Sequence, residues 1–208
     1  MSNVHVLEHP LIKHKLTVIR DKNTKTKEFR ETVNEIAGLL TFEITRNLTL
    51  KEKIVETPVD TYKGSELAEE IVIIPILRAG LGMVEGIHNL IPTAKIGHIG
   101  LYRDEETLEA KEYYSKFPDT LKDSTILLVD PMLATGNSTV KAIEILKSKG
   151  AKHIIFVGIV GSPEGVKRLR EYDPNVMIYL AALDEKLNKN GYIVPGLGDA
   201  GDRLFGTK

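Results

Sequence analysis

Ile126-Leu127-Leu128-Val129-Asp130-Pro131-Met132-Leu133-Ala134-Thr135-Gly136-Asn137-Ser138-Thr139 is the stretch from which the fold can be read. Four apolar residues in a row suit a strand buried on both faces. An acid ends that strand, a short turn follows, and a Thr-Gly-Asn-Ser-Thr run opens a helix. The first N–H groups of a helix lack intrahelical partners and stand at the positive end of its dipole, so such a start can hold a phosphate. Thr135, Ser138 and Thr139 add hydroxyls, and Gly136 lets the backbone approach a ligand. Asp130 falls at the carboxyl end of a strand, where open α/β sheets bind ligands. The same residues also suit an ordinary helix cap with Asp130 as a turn former, and composition leaves both readings open. The loop has neither the Walker A spacing nor Gly-x-Gly-x-x-Gly.

The pattern extends in both directions. A second apolar run, 71–77, leads into Arg78-Ala79-Gly80-Leu81-Gly82 and a helix over 81–90. Arg78 offers a planar fork of donors suited to diphosphate oxygens. A strand is expected over 96–102, a helix over 138–149 stopped by Gly150, a strand over 154–160, a helix over 163–172 and a strand over 176–180. Alternating β and α units predict a parallel α/β sheet. Before it, apolar residues at helical spacing (Phe29, Val33, Ile36, Leu39, Leu40, Ile44) predict a core-facing helix within 24–46. Residues 48–62 suit short strands or a hairpin arm. Residues 1–16 read as a polar segment, 103–112 as a charged one, and 101–107 as a mobile surface loop. The tail, with Gly191, Pro195, Gly196, Gly198 and Gly201 close together, reads as irregular loop.

Bulk properties narrow the function classes. The chain has 208 residues, 42% hydrophobic and 27% charged, with a net charge of -1. That balance gives no electrostatic reason to expect a nucleic-acid or membrane partner. It contains no cysteine, which excludes disulfides, thiolate nucleophiles and Cys-ligated metals and fits a reducing cytosol. No apolar stretch has the length of a secretory signal or a transmembrane helix, so a cytoplasmic location is expected. The six histidines (His5, His9, His14, His88, His98, His153) are scattered, and no cluster of metal ligands stands out.

The segment 126–139 resembles the 5-phosphoribosyl 1-diphosphate (PRPP) motif of the type I phosphoribosyltransferases. Its form Asp-Pro-Met-Leu-Ala-Thr-Gly, with one acid in place of two, is similar to the uracil-specific branch. Pro75-Ile76-Leu77-Arg78-Ala79-Gly80-Leu81-Gly82-Met83 and Tyr192-Ile193-Val194-Pro195-Gly196-Leu197-Gly198-Asp199-Ala200-Gly201-Asp202 resemble two further motifs of that branch, in the same order. The resemblance implies a type I parallel sheet flanked by helices, with N-terminal helices and a hairpin arm. It implies one domain over 1–208, with a core at about 66–180 and an irregular C-terminal hood at 181–208. It implies that Arg78, Arg103, Asp130, Pro131, Met132, Leu133, Ala134, Thr135, Gly136, Asn137, Ser138 and Asp199 meet PRPP. Main-chain groups of Ile193, Gly198, Asp199 and Ala200 would meet uracil, whose small flat edge a Gly-rich strip can reach. Arg78 and Arg103 would balance charge on departing diphosphate, with Asp199 assisting loss of the uracil N1 proton. Mg²⁺ would enter as Mg-PRPP, without direct protein ligands. A homo-oligomer, dimer or higher, and a GTP effector are implied as well.

Asn137 stands where the family usually has a second glycine; Asn tolerates unusual backbone angles, so the loop shape is expected to survive. Two other readings compete. One is an RNA-binding pyrimidine-operon regulator with residual uracil activity, for which no basic strip is evident. The other is a purine phosphoribosyltransferase, disfavoured by Asp130-Pro131 and by the tail.

Overall fold

A computed structural model describes residues 3–103 and 110–207. The chain opens with β1 (Val4–Val6), α1 (Pro10–Arg20) and α2 (Thr26–Ile44). An antiparallel hairpin of β2 (Leu50–Glu56) and β3 (Thr61–Leu67) follows. Next come β4 (Ile71–Leu77), α3 (Leu81–Leu90), β5 (Lys95–Ile96), β6 (His98–Arg103) and β7 (Ala110–Lys116). The second half comprises β8 (Thr125–Val129), β9 (Met132–Leu133), α4 (Asn137–Ser148), β10 (His153–Gly161), α5 (Pro163–Tyr172) and β11 (Met177–Leu183). β12 (Lys186–Leu187), β13 (Ile193–Val194) and α6 (Ala200–Phe205) complete it. No helix among the described residues is long and apolar enough to cross a membrane.

Among the described residues the main sheet has nine strands, seven of them in the order β1-β11-β10-β8-β4-β6-β7. Its pairings are parallel except for β6 with β7. Alternation along each central strand feeds two cores. Ile71, Ile73, Leu127 and Val129 join Phe29, Ile36, Leu40, Met83 and Ile87 from α2 and α3. Val72, Ile74, Ile126 and Leu128 join Ile143, Leu146 and Leu169 from α4 and α5. Both faces of β4 and β8 are therefore covered, which is why their sequences show no polar alternation.

The parallel α/β architecture, the hairpin arm and the main helices agree with the sequence reading. Three segments differ. Residues 1–16 are not merely polar: Val4–Val6 pairs with β11, and α1 buries Ile12, Leu16 and Ile19. These lie four and three positions apart, one helix face obscured by the His and Lys residues between them. The charged segment 103–112 is in part strand, since Leu101 pairs with Glu112, Tyr102 with Lys111 and Arg103 with Ala110. Half-exposed edge strands tolerate charge. Leu101, Tyr102 and Arg103 thus belong to β6 rather than to a loop, and the remainder of the expected mobile loop, 104–107, lies outside the described residues. The tail is not wholly irregular: Ile193–Val194 pairs with Lys186–Leu187, and α6 begins at Ala200.

Candidate active site

The turn after β8 is held along β10 before it is released toward solvent. Asp130 N–H donates to Val157 O at 3.2 Å, and Pro131 O accepts from Ile159 N and Val160 N, both at 3.0 Å. Met132 and Leu133 then pair with Val160 and Gly161. Asp130 is half-buried, and burial pushes its carboxyl up to about 7, with Met132 N–H at 3.4 Å opposing the rise. Gly136 caps α4 at φ 78°, in the left-handed region. Asn137 is the first helical residue, so it faces no unusual angle: the loop keeps its shape because Gly136, not Asn137, takes the left-handed position. Thr135, Asn137 and Ser138 are exposed, whereas Thr139 is buried.

A support for this loop that sequence reasoning missed comes from the start of α5. Ser162, fully buried, donates its N–H to Leu133 O (3.0 Å) and its hydroxyl to Ala134 O (2.6 Å), and accepts from Gly165 N (2.9 Å). A Cβ at Gly165 would strike Ala134 O and come within 2.6 Å of Leu133 O. The signal lay in Ser-Pro-Glu, an N-cap with proline at the first helical position.

The Arg78 loop sits beside the end of β8. A Cβ at Gly80 would lie 2.5 Å from Val129 O, so only glycine permits this approach. The Leu77–Arg78 and Val194–Pro195 peptide bonds are cis. Arg78 is exposed, with Nη2 3.3 Å from Asp202 Oδ1 and its guanidinium carbon 5.9 Å from the Phe205 ring centre. Leu77 pairs with Gly100 in β6, so the backbone of Arg103, three residues on, ends its strand at the same edge of the sheet.

The tail faces both loops. The Cβ position of Gly191 lies 3.9 Å from Thr135 Cγ2. That of Gly201 lies 3.3 Å from Asp199 Oδ1, 3.7 Å from Arg78 Nη2 and 4.0 Å from Ala79 Cβ. Asp199 caps α6, its carboxylate accepting from Asp202 N at 2.9 Å. Ile193 and Ala200 are buried in the α2–α3 core, while Gly198 and Asp199 are exposed. Ile193 and Ala200 therefore commit their side chains to packing.

A parallel sheet with a loop opening a helix, an arginine loop and a glycine-rich tail at its carboxyl edge defines the type I phosphoribosyltransferase class. Solved structures agree on the fold. Adenine phosphoribosyltransferase of Trypanosoma brucei superposes with a TM-score of 0.59 at 15% identity, over 88% of this chain and 84% of that one. A protein from Aquifex aeolicus superposes with a TM-score of 0.93 at 41% identity, over 97% of each chain. The family model described as uracil phosphoribosyltransferase matches residues 6–207. Proteins named uracil phosphoribosyltransferase from Acholeplasma laidlawii and Anoxybacillus flavithermus are 64% and 61% identical over the full length of both chains. The chain belongs to the uracil phosphoribosyltransferase family.

Proposed function

We propose that the chain transfers the phosphoribosyl group of PRPP to uracil, giving UMP and diphosphate in pyrimidine salvage. The observation that carries this reading is the convergence at Gly201, whose Cβ position lies within 4 Å of both Asp199 and Arg78. A base held by the tail would there meet a sugar phosphate held by the loops. In the reaction the bond from ribose C1 to the diphosphate oxygen breaks, and a bond from C1 to uracil N1 forms on the opposite side. The N1 proton leaves with help from Asp199.

The start of α4 and the loop 130–138 bind the 5′-phosphate and ribose hydroxyls, with Asp130 accepting from the hydroxyls. Arg78 and Arg103 balance charge on diphosphate as it departs, and Mg²⁺ arriving with PRPP would share that charge. Main-chain groups of Ile193 and 198–200 read the uracil edge. Cytosine presents a donor where uracil has an acceptor and would leave buried groups unpaired. The unit is one domain over 1–208, with its core at about 66–180 and a hood at 181–208. It acts in the cytoplasm as a dimer or higher oligomer, with GTP as an effector.

Transfer of label from uracil, hypoxanthine and orotate in the presence of Mg-PRPP tests the reaction. UMP formed from uracil alone is expected, and turnover of a purine instead would overturn it. Sedimentation tests the oligomer, and a rate unchanged by GTP removes the effector. The RNA-binding regulator is not favoured, because the relatives above bear the enzyme's name over the full chain. Failure of leader RNA to bind would dispose of it directly.

A further inference from the structure

Two guanidinium groups far apart in the chain grip the turn that precedes the exposed Gly198 and Asp199. Arg20, the last residue of α1, donates through Nη2 to Asp184 Oδ1 at 2.6 Å and through Nη1 to Asp184 Oδ2 at 2.8 Å. Nη1 also donates to Gly196 O at 2.8 Å, and Gly196 N–H donates to Asp184 Oδ2 at 2.8 Å. Both backbone polar groups of Gly196 are thus fixed to one ion pair. The Asp184 side chain is 6% exposed, and its own N–H donates to Gly161 O at 2.8 Å, at the end of β10. On the other side Arg203 donates to Leu197 O (2.7 Å), Asp21 O (2.6 Å) and Ile19 O, with its guanidinium carbon 4.2 Å over the Phe29 ring.

Gly196 and Gly198 both adopt positive φ, 61° and 82°, and two such residues within three positions leave a turn with little intrinsic preference for one shape. Planar, doubly bonded guanidinium–carboxylate geometry is directional where a single ammonium contact is not. No catalytic group in the proposed reaction is among these residues. We infer that the Arg20–Asp184 pair is a positioning device for the pyrimidine half of the site, setting the main-chain strip that selects uracil while leaving PRPP recognition alone. This rests on the reading that the tail receives uracil.

Steady-state kinetics of Asp184→Asn and Arg20→Lys, varying each substrate in turn, test it. Both variants are expected to raise KM for uracil at least tenfold and to change KM for PRPP less than twofold. Equal movement of the two constants, or an unmoved uracil KM in a variant with native circular dichroism, overturns the inference. If Asp184→Asn does not fold, Arg20→Lys decides alone, since its side chain is 24% exposed and lysine keeps the charge. A parent chain that makes no UMP from uracil would instead refute the proposed reaction, so the two failures are distinguishable.

Discussion

The guanidinium of Arg78 stands 3.3 Å from the carboxylate of Asp202, so the loop after β4 and the tail are in contact through a cation and an anion. A diphosphate entering that space offers Arg78 a stronger, bidentate partner. Arg78→Ala is expected to raise KM for PRPP by about 10- to 100-fold, the worth of a hydrogen bond to a charged group. The Arg78 side chain is 56% exposed, and a surface pair contributes roughly 0–1 kcal/mol. Thermal melting should therefore barely move.

Asp130 gives a pH signature. Its carboxyl rises from an ordinary 3.8 to about 7 on folding because burial disfavours the charge. Between those values the folded chain retains a proton that the unfolded chain releases. The stability tied to this group is therefore full below about pH 4 and is lost as pH climbs to about 7. Asp130→Asn should melt higher than the parent at pH 8, and the gap should close near pH 4. At about 1.4 kcal/mol per unit, discounted because Asp130 is only half-buried, the gain is roughly 2 kcal/mol. The same variant should bind PRPP more weakly, since an amide replaces an acceptor for two hydroxyls. A melting gap that widens at low pH would contradict the assignment.

The brace at the start of α5 predicts coupled losses. Ser162→Ala removes the partner of Ala134 O and Gly165 N and is expected to cost about 1–3 kcal/mol. Gly165→Ala forces a Cβ against two loop carbonyls, costing about 1–3 kcal/mol by overpacking. In both, denaturant melts should show the loss and KM for PRPP should rise while KM for uracil stays put.

Asp199 caps a helix, and in the proposed reaction it also assists proton loss; substitution can separate the two. Its carboxylate caps α6, so Asp199→Ala is expected to lose about 1 kcal/mol of stability as well as rate. Asp199→Asn retains a capping oxygen but cannot take a proton. A parental kcat in Asp199→Asn, measured at saturating uracil and PRPP, would strip the residue of its part in proton removal.

Much of this molecule is legible in its sequence, and the reasons differ by region. β4 and β8 declare themselves because both faces are buried, leaving unbroken apolar runs. α3 and α5 match residue for residue, one following a loop glycine and the other opening on Ser162-Pro163. β7 was hidden because an edge strand is specified by its partner's backbone more than by its own side chains: every residue but Ala110 and Ser115 is exposed. α1 was hidden because its three buried residues are diluted by two lysines and a histidine. In the site, the loops could be read, but what fixes them could not. Ser162, Asp184, Arg20 and Arg203 act across 28, 164 and 184 positions of chain, and nothing local distinguishes such residues from polar side chains that only meet water.

Arg203 reaches the carbonyls of Ile19 and Asp21, 184 and 182 positions away. Contacts so distant close long loops and form late. During synthesis the loops after β4 and β8 and their sheet emerge before the tail. The turn proposed to select the base can set only when residues 196–203 find α1, which is made earlier. An unfinished chain thus lacks the half of the proposed site that would confer choice of acceptor, and maturation of activity should trail formation of the sheet.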